Sequence, residues 1–334
     1  MTLGLFLEWA IKSLVVILAM TFGFAYVTLY ERRVLARFQV RIGPNRAGPG
    51  GILQPIADAL KLIFKEDLIP EKADKLIFVL APLLTVIPAL IITGVVPWGP
   101  PIVLFGKEFS LSVADINVGA LYILTVTSIS IYGITLAGWS SNNKYATLGG
   151  LRATAQMISY ELALGLSFVG PILLAGSMSL TDIANAQKNI WFIVYQPLGV
   201  IIYMIATVAE INRSPFDMPE AEQELTAGYH VEYSSMKFAL FFMAEYIKMI
   251  AICMIGATLF LGGFQGPFLD KLPWLGPLYL FAKIVVLLFG LIWIRATLPR
   301  IRYDRLMAFG WKILFPLALL NVMVTALVMK LVGG

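Results

Sequence analysis

Apolar residues dominate eight stretches of the chain, at 3–30, 76–97, 117–138, 153–176, 191–209, 237–261, 276–294 and 310–331. A helix needs about 20 apolar residues to cross the hydrocarbon of a bilayer, so the pattern predicts eight transmembrane helices. One further stretch, 51–65, is too short and too polar to cross. There Gln54, Asp58, Lys61 and Lys65 recur at i, i+4, i+7 and i+11, while Ile52, Ile56, Leu60 and Ile63 form the other face. This is the periodicity of an amphipathic helix lying in an interface, although a plain surface helix between two spans would share it. The predicted fold class is an all-α integral membrane protein, eight transmembrane helices plus a cytoplasmic-side interfacial amphipathic helix, in one membrane domain over 1–334. Residues 1–9 carry Glu8 and no cation, so the first stretch is expected to stay as a helix rather than be cleaved as a signal.

Composition agrees with a bilayer as solvent. Of 334 residues 59% are hydrophobic and 13% charged, with a mean hydropathy of +0.83, against roughly 45–50% and 25% in soluble domains. Lys and Arg are unevenly placed: 18 fall in the odd-numbered loops and four in the others. The excess of positive charge predicts odd loops in the cytoplasm and both termini outside. The net charge of +5 is expected to face anionic lipid headgroups, with no nucleic acid as partner. A single Cys, Cys253, and a single His, His230, are too few for a metal or haem site, and no phosphate-binding glycine motif follows a strand-like segment. No cofactor is expected in this chain, so any redox groups belong to partners.

Ionisable residues inside spans cost roughly 2.5–3.5 kcal/mol each and so mark candidate functional positions. Glu161 lies nine residues beyond Arg152 and Glu245 eight beyond Lys237, which puts each about 12–14 Å into its helix from the cytoplasmic side. Glu210 closes the fifth span on that side, so three carboxylates from three helices could line one polar cavity. Ordinary buried, paired acids remain the alternative, most of all for Glu245, which shares a helix face with Lys248. Glu8 and Lys12 read as a structural i,i+4 pair, and Lys248 and Lys283 approach the middle of the membrane. The acidic loop, 210–236, sets Glu210, Asp217, Glu220, Glu222, Glu224 and Glu232 against one cation, Arg213. Asp217 and Glu220 fit a helix N-cap and its capping-box partner, with Gly228 as the stop. The rest of the loop reads as an acidic entrance to a membrane cavity.

The stretch EINRSPFDMPEAEQELTAGYHVEYSSMKFALFFMAEY from Glu210, with YERRVLARFQVRIGPNRAGPGG from Tyr30 and GGLRATAQMISYELALG from Gly149, resembles the signature of the NADH-quinone oxidoreductase H-subunit family. Members are the quinone-site membrane subunits of respiratory complex I, and the motifs span most of the chain. The resemblance implies a multi-pass subunit of the cell inner membrane. Quinone is the substrate, entering from lipid through a cavity walled by the first span, the interfacial helix and the sixth span. It further implies partners: other complex I membrane subunits, and hydrophilic-arm subunits that carry FMN, the iron-sulfur clusters and the quinone headgroup site. Carried over by motif, the proton path would comprise Glu161, Glu210, Arg213, Asp217, Glu220, Glu222, Glu224, Glu232 and Glu245, and the basic residues of the quinone cavity and docking face Arg32, Arg33, Arg41 and Arg46. The chain alone would catalyse no redox turnover. Alternatives are the homologous subunit of a membrane-bound hydrogenase or ferredoxin-type dehydrogenase, and, from another class, a stand-alone cation/proton antiporter. The antiporter reading expects paired broken spans in inverted repeats, and the sequence shows no such pair.

Overall fold

The computed structural model describes residues 3–104, 107–217, 227–269 and 271–332. It is a helical bundle whose elements are α1 (Leu3–Phe38), α2 (Gln54–Ile63), α3 (Lys75–Thr93), a hairpin of β1 (Ile102–Leu104) and β2 (Lys107–Phe109), α4 (Gly119–Ser140), α5 (Lys144–Ala175), α6 (Leu180–Ala186), α7 (Phe192–Tyr195), α8 (Pro197–Glu210), α9 (Ser235–Phe260), α10 (Leu275–Thr297), α11 (Tyr303–Phe309) and α12 (Phe315–Val332). A π-helical turn, Gly310–Leu314, joins the last two. Among the described residues seven helices are long and apolar enough to cross a membrane. The predicted span at 191–209 differs. It is α7 followed by α8, 14 residues long, with a break at Gln196 (φ −132°, ψ 56°), because Pro197 brings no N–H and disfavours helical backbone in the residue before it.

α9 forms the centre of the bundle, buried along most of its apolar length, while α1 buries only a small share of its apolar stretch. α4 and α5 fold back as a close pair through glycine. A Cβ at Gly138 would stand 2.6 Å from the carbonyl of Ala146 and 3.1 Å from Gly150 Cα, so only the smallest residue permits this approach. α5 starts on Asn143, whose Oδ1 accepts from Tyr145 N, and ends on Gly176 in the left-handed region at φ 68°, a stop that glycine makes without strain.

One end of the bundle collects the arginine-rich segments, and we call it the basic end. There Ser140 O accepts from Asp74 N at 3.1 Å, Ser235 Oγ donates to Leu62 O at 3.0 Å and Arg300 donates to Asp217 at 2.8 Å. α2 lies across this end. Arg32 pairs with its Asp58 at 2.6 Å, while Ile56, Leu60 and Ile63 on the other side stay exposed. The helix thus covers Gln54–Ile63, preceded by a turn at Pro49–Gly51, and its apolar face is left exposed by the described residues.

Candidate functional site

The site is built where α8 ends. Gln156, fully buried on α5, turns its amide Nε2 to the carbonyls of Ala209 at 2.9 Å and Phe216 at 2.8 Å. That clamp fixes the turn between them and points Arg213 into the protein. Arg213 donates to Glu31 Oε1 of α1 at 2.9 Å, pairs through Nε with Glu245 of α9, and lies 4.5 Å from the ring centroid of Tyr246. Arg295, near the end of α10, pairs with the same Glu31 oxygen. Four elements that are far apart in sequence are therefore tied by two carboxylates and two guanidinium groups. Burying such charges costs several kcal/mol per ion, which mutual attraction repays only in good geometry.

A second pair adjoins the first. Lys248 lies 3.6 Å from Glu210, whose side chain is 1% exposed. Sequence spacing suggested that Lys248 serves Glu245 on its own helix face. Its nearest carboxylate is instead that of Glu210, and Glu245 has Arg213. Glu161 lies within electrostatic reach of Glu210 and receives a hydrogen bond from Ser128 of α4. Asp217, held by Arg300, lies within such reach of Glu245. A cavity of about 10 Å³ is lined by Glu31, Arg213 and Arg295, and another of about 30 Å³ by Glu210, Glu245, Lys248 and Asn212. Ile211 lines both. These volumes have room for roughly one and two water molecules.

The remaining predicted residues are dispersed around this centre. Glu232 accepts from Asn143 Nδ2 at 2.7 Å and anchors the acidic loop to the start of α5. Glu220, Glu222 and Glu224 lie outside the described residues, and with Glu220 the predicted capping-box partner of Asp217. Arg32 holds α2, Arg33 donates to the Gly50 carbonyl, Arg41 donates to Gln39 at 2.7 Å, and Arg41 and Arg46 are exposed at the basic end. None of these four arginines enters the buried cluster. His230, within the loop, is buried among aromatic rings, which holds its imidazole down at about 4. Tyr233 is pushed up by burial to about 12.

Glu31, Arg295 and Gln156 belong to this centre and were not singled out by sequence reasoning. For Glu31 a signal was present, an acid at the mouth of the first span in a segment otherwise crowded with arginine. Gln156 offered another, an amide inside an apolar stretch five residues before Glu161. Lys283, expected near mid-membrane, donates to the carbonyls of Leu261, Gly263 and Gln265 at 2.6–2.8 Å and lies 4.9 Å from the Trp191 ring. It closes the end of α9 away from the charged centre.

Residues 11–326 match the family model described as NADH dehydrogenase. The chain is 53% identical over 307 residues to the first of the NADH-quinone oxidoreductase H subunits of Geobacter metallireducens, covering 92% of each chain. It is 53% identical over 314 residues to the NADH-quinone oxidoreductase H subunit of Thermomicrobium roseum, covering 91% of each. With NADH-quinone oxidoreductase subunit 8 of Thermus thermophilus the identity is 53% over 323 residues, 96% of this chain and 87% of that one.

Proposed function

The chain belongs to the NADH-quinone oxidoreductase H-subunit family, membrane subunits of that oxidoreductase complex, and from this premise we propose that it walls the quinone access cavity and couples quinone reduction to proton translocation. The observation that carries this reading is the buried charge chain from Glu31 through Arg213 to Glu245, with Lys248, Glu210 and Glu161 beside it. Charge so costly to bury, adjoining water-sized cavities, is suited to passing protons between carboxylates without a metal. Arg213 is the shared cation of two carboxylates, so a change of charge on one alters its hold on the other.

In this reading α7 and α8 together make the eighth crossing, the basic end faces the cytoplasm of an inner-membrane protein with both termini outside, and α2 lies in the membrane surface with Ile56, Leu60 and Ile63 towards lipid. Arg32, Arg33, Arg41 and Arg46 line the quinone approach and the docking face for the hydrophilic arm. Asp217, Glu232 and the acids Glu220, Glu222 and Glu224 continue the proton path from the loop. FMN and iron-sulfur clusters would be held by partner subunits and would supply the electron transfer from NADH to quinone, while this chain supplies shape, charge and proton transfer, with no turnover alone.

The test replaces Glu161 or Glu210 by Gln, which keeps shape and removes titration. The expected result is a complex that assembles and oxidises its donor with artificial acceptors but loses most quinone-linked turnover or pumping. Parental pumping in both variants would refute the assignment.

A further inference from the structure

Two adjoining cavities open at the end of the bundle opposite the basic end, one between α1 and the segment 110–115, the other between α1 and the end of α3. One, of about 530 Å³, is rimmed by Trp9, Lys12, Ser13, Ser110, Ser112 and Asp115, a size typical of small-ligand sites, which run to about 300–1,000 Å³. The other, of about 230 Å³, is walled by Ile17, Leu90, Ile91 and Val95. They share Ser13, Val113 and Ala114, so the space runs from a polar mouth to an apolar end. It exists because α1 packs mainly on α9 and α10 and barely touches α3. The step from Lys12 to Ile17 is roughly 7–8 Å along the helix axis, so the cleft deepens from headgroup level towards acyl chains. Trp9, partly exposed at the mouth, is of the type that marks this boundary.

The mouth carries both signs of charge. Lys12 is a cation paired with Glu8 at 2.6 Å, and the hydroxyls of Ser13, Ser110 and Ser112 line the same cavity, those of Ser110 and Ser112 sharing a hydrogen bond of 2.8 Å. Asp115 accepts from Ser179 through Oδ1 at 3.0 Å and is otherwise exposed. We propose that this cleft binds one zwitterionic phospholipid with a primary-amine headgroup, of the ethanolamine class. Its phosphate meets Lys12 and the serine hydroxyls, its ammonium meets Asp115, and one acyl chain lies against Ile17, Leu90 and Ile91. An anionic headgroup would leave Asp115 facing negative charge, and a choline headgroup has no N–H to donate to it. The site is separate from the charged centre and rests only on the helices being embedded in a bilayer.

The test is photo-crosslinking of the assembled complex in nanodiscs that contain a phosphatidylethanolamine bearing a diazirine in its acyl chain, mapped by peptide mass spectrometry. Label is expected to concentrate on residues 13–17 and 90–95 above the level at Phe281 and Val286, two exposed residues of α10. Lys12→Gln should lower it about fivefold, the worth of one lysine attraction at a membrane surface. Ile91→Trp, which fills the apolar end, should lower it while leaving assembly and quinone-linked turnover unchanged. Asp115→Asn should shift label from the ethanolamine lipid towards an equivalent phosphatidylglycerol probe, a change that a mere loss of folding would not produce. Label no higher than at α10, equal labelling by both lipids in the parent complex, or a helix of another protein crosslinked into the cleft would each overturn the proposal.

Discussion

Arg213 lies 2.9 Å from Glu31, across 182 positions of sequence, and the same guanidinium also pairs with Glu245. Glu31 in turn holds Arg295, so its charge serves two cations at once. Glu31→Gln keeps the shape and leaves two neighbouring arginines without their shared anion. Breaking a buried pair from one side costs about 3–5 kcal/mol, and the exposure of Arg295 to solvent puts the cost towards the lower figure. The expected outcome is a lower melting temperature of the membrane arm in the assembled complex, with quinone-linked turnover reduced more than donor oxidation by artificial acceptors. Thermal unfolding and the two assays on one preparation check it.

Lys248 and Glu210 form a pair that can be tested on its own. Lys248→Met strands a carboxylate that is 1% exposed, and Glu210→Gln strands an ammonium in nearly as buried a place. Each single change should destabilise, whereas the double change removes both charges and should cost less than the sum of the two. A coupling of about 0.5–3 kcal/mol is the range for groups in one network. A strictly additive double variant would show that the two side chains do not interact.

Lys283 gives the opposite expectation. Its ammonium satisfies three carbonyls, those of Leu261, Gly263 and Gln265, and it lies apart from the charged centre. In Lys283→Met those acceptors lose their donor at about 1–3 kcal/mol for each one left unsatisfied. The yield of assembled complex should fall, while the number of protons pumped per electron in what does assemble should equal the parental value. A changed pumping ratio would give this lysine a part in transport.

How far the sequence reached follows from what each signal measures. Hydropathy counts grease along one segment, so α1, α3, α4, α5, α9 and α10 were legible from their apolar runs, and Glu161, Glu210 and Glu245 stood out as charges within them. Partnership across segments is another matter. Spacing offered Glu245 only the neighbour it could see, Lys248 three residues on, and packing then gave each of them a partner from elsewhere in the chain. Glu31 was hidden by its company, since an acid beside Arg32 and Arg33 resembles ordinary surface charge until the bundle closes over it. The break at Gln196 was written in Pro197, but a proline inside an apolar run is also tolerated unbroken, as Pro82 and Pro88 are inside α3.

His230 supplies a pH dependence whose sign can be worked out from its surroundings. It is 8% exposed and meets the rings of Tyr229, Phe238 and Phe242 at centroid distances of 4.9, 5.5 and 6.4 Å. Burial depresses its pKa from 6.5 to about 4, so in the folded loop the imidazole stays neutral until the pH falls that far. An opened loop binds the proton already near its ordinary value. Between those two values the open state holds more protons than the closed one, and stability must therefore fall as the pH falls. The contribution is complete above 6.5 and is lost on the way down to about 4, by up to about 3 kcal/mol for a shift of this size. Tyr233 stays neutral throughout this window and adds nothing. Glu232, held by Asn143, is present in parent and variant alike, so comparing the two isolates the histidine. His230→Phe keeps an aromatic ring against the same neighbours and removes the titration. Hydrogen exchange over residues 227–241 of the assembled complex, corrected for the intrinsic rate, should show protection lost between pH 7 and pH 5 in the parent and largely kept in the variant. Equal losses in both would place the pH sensitivity of this loop on another group.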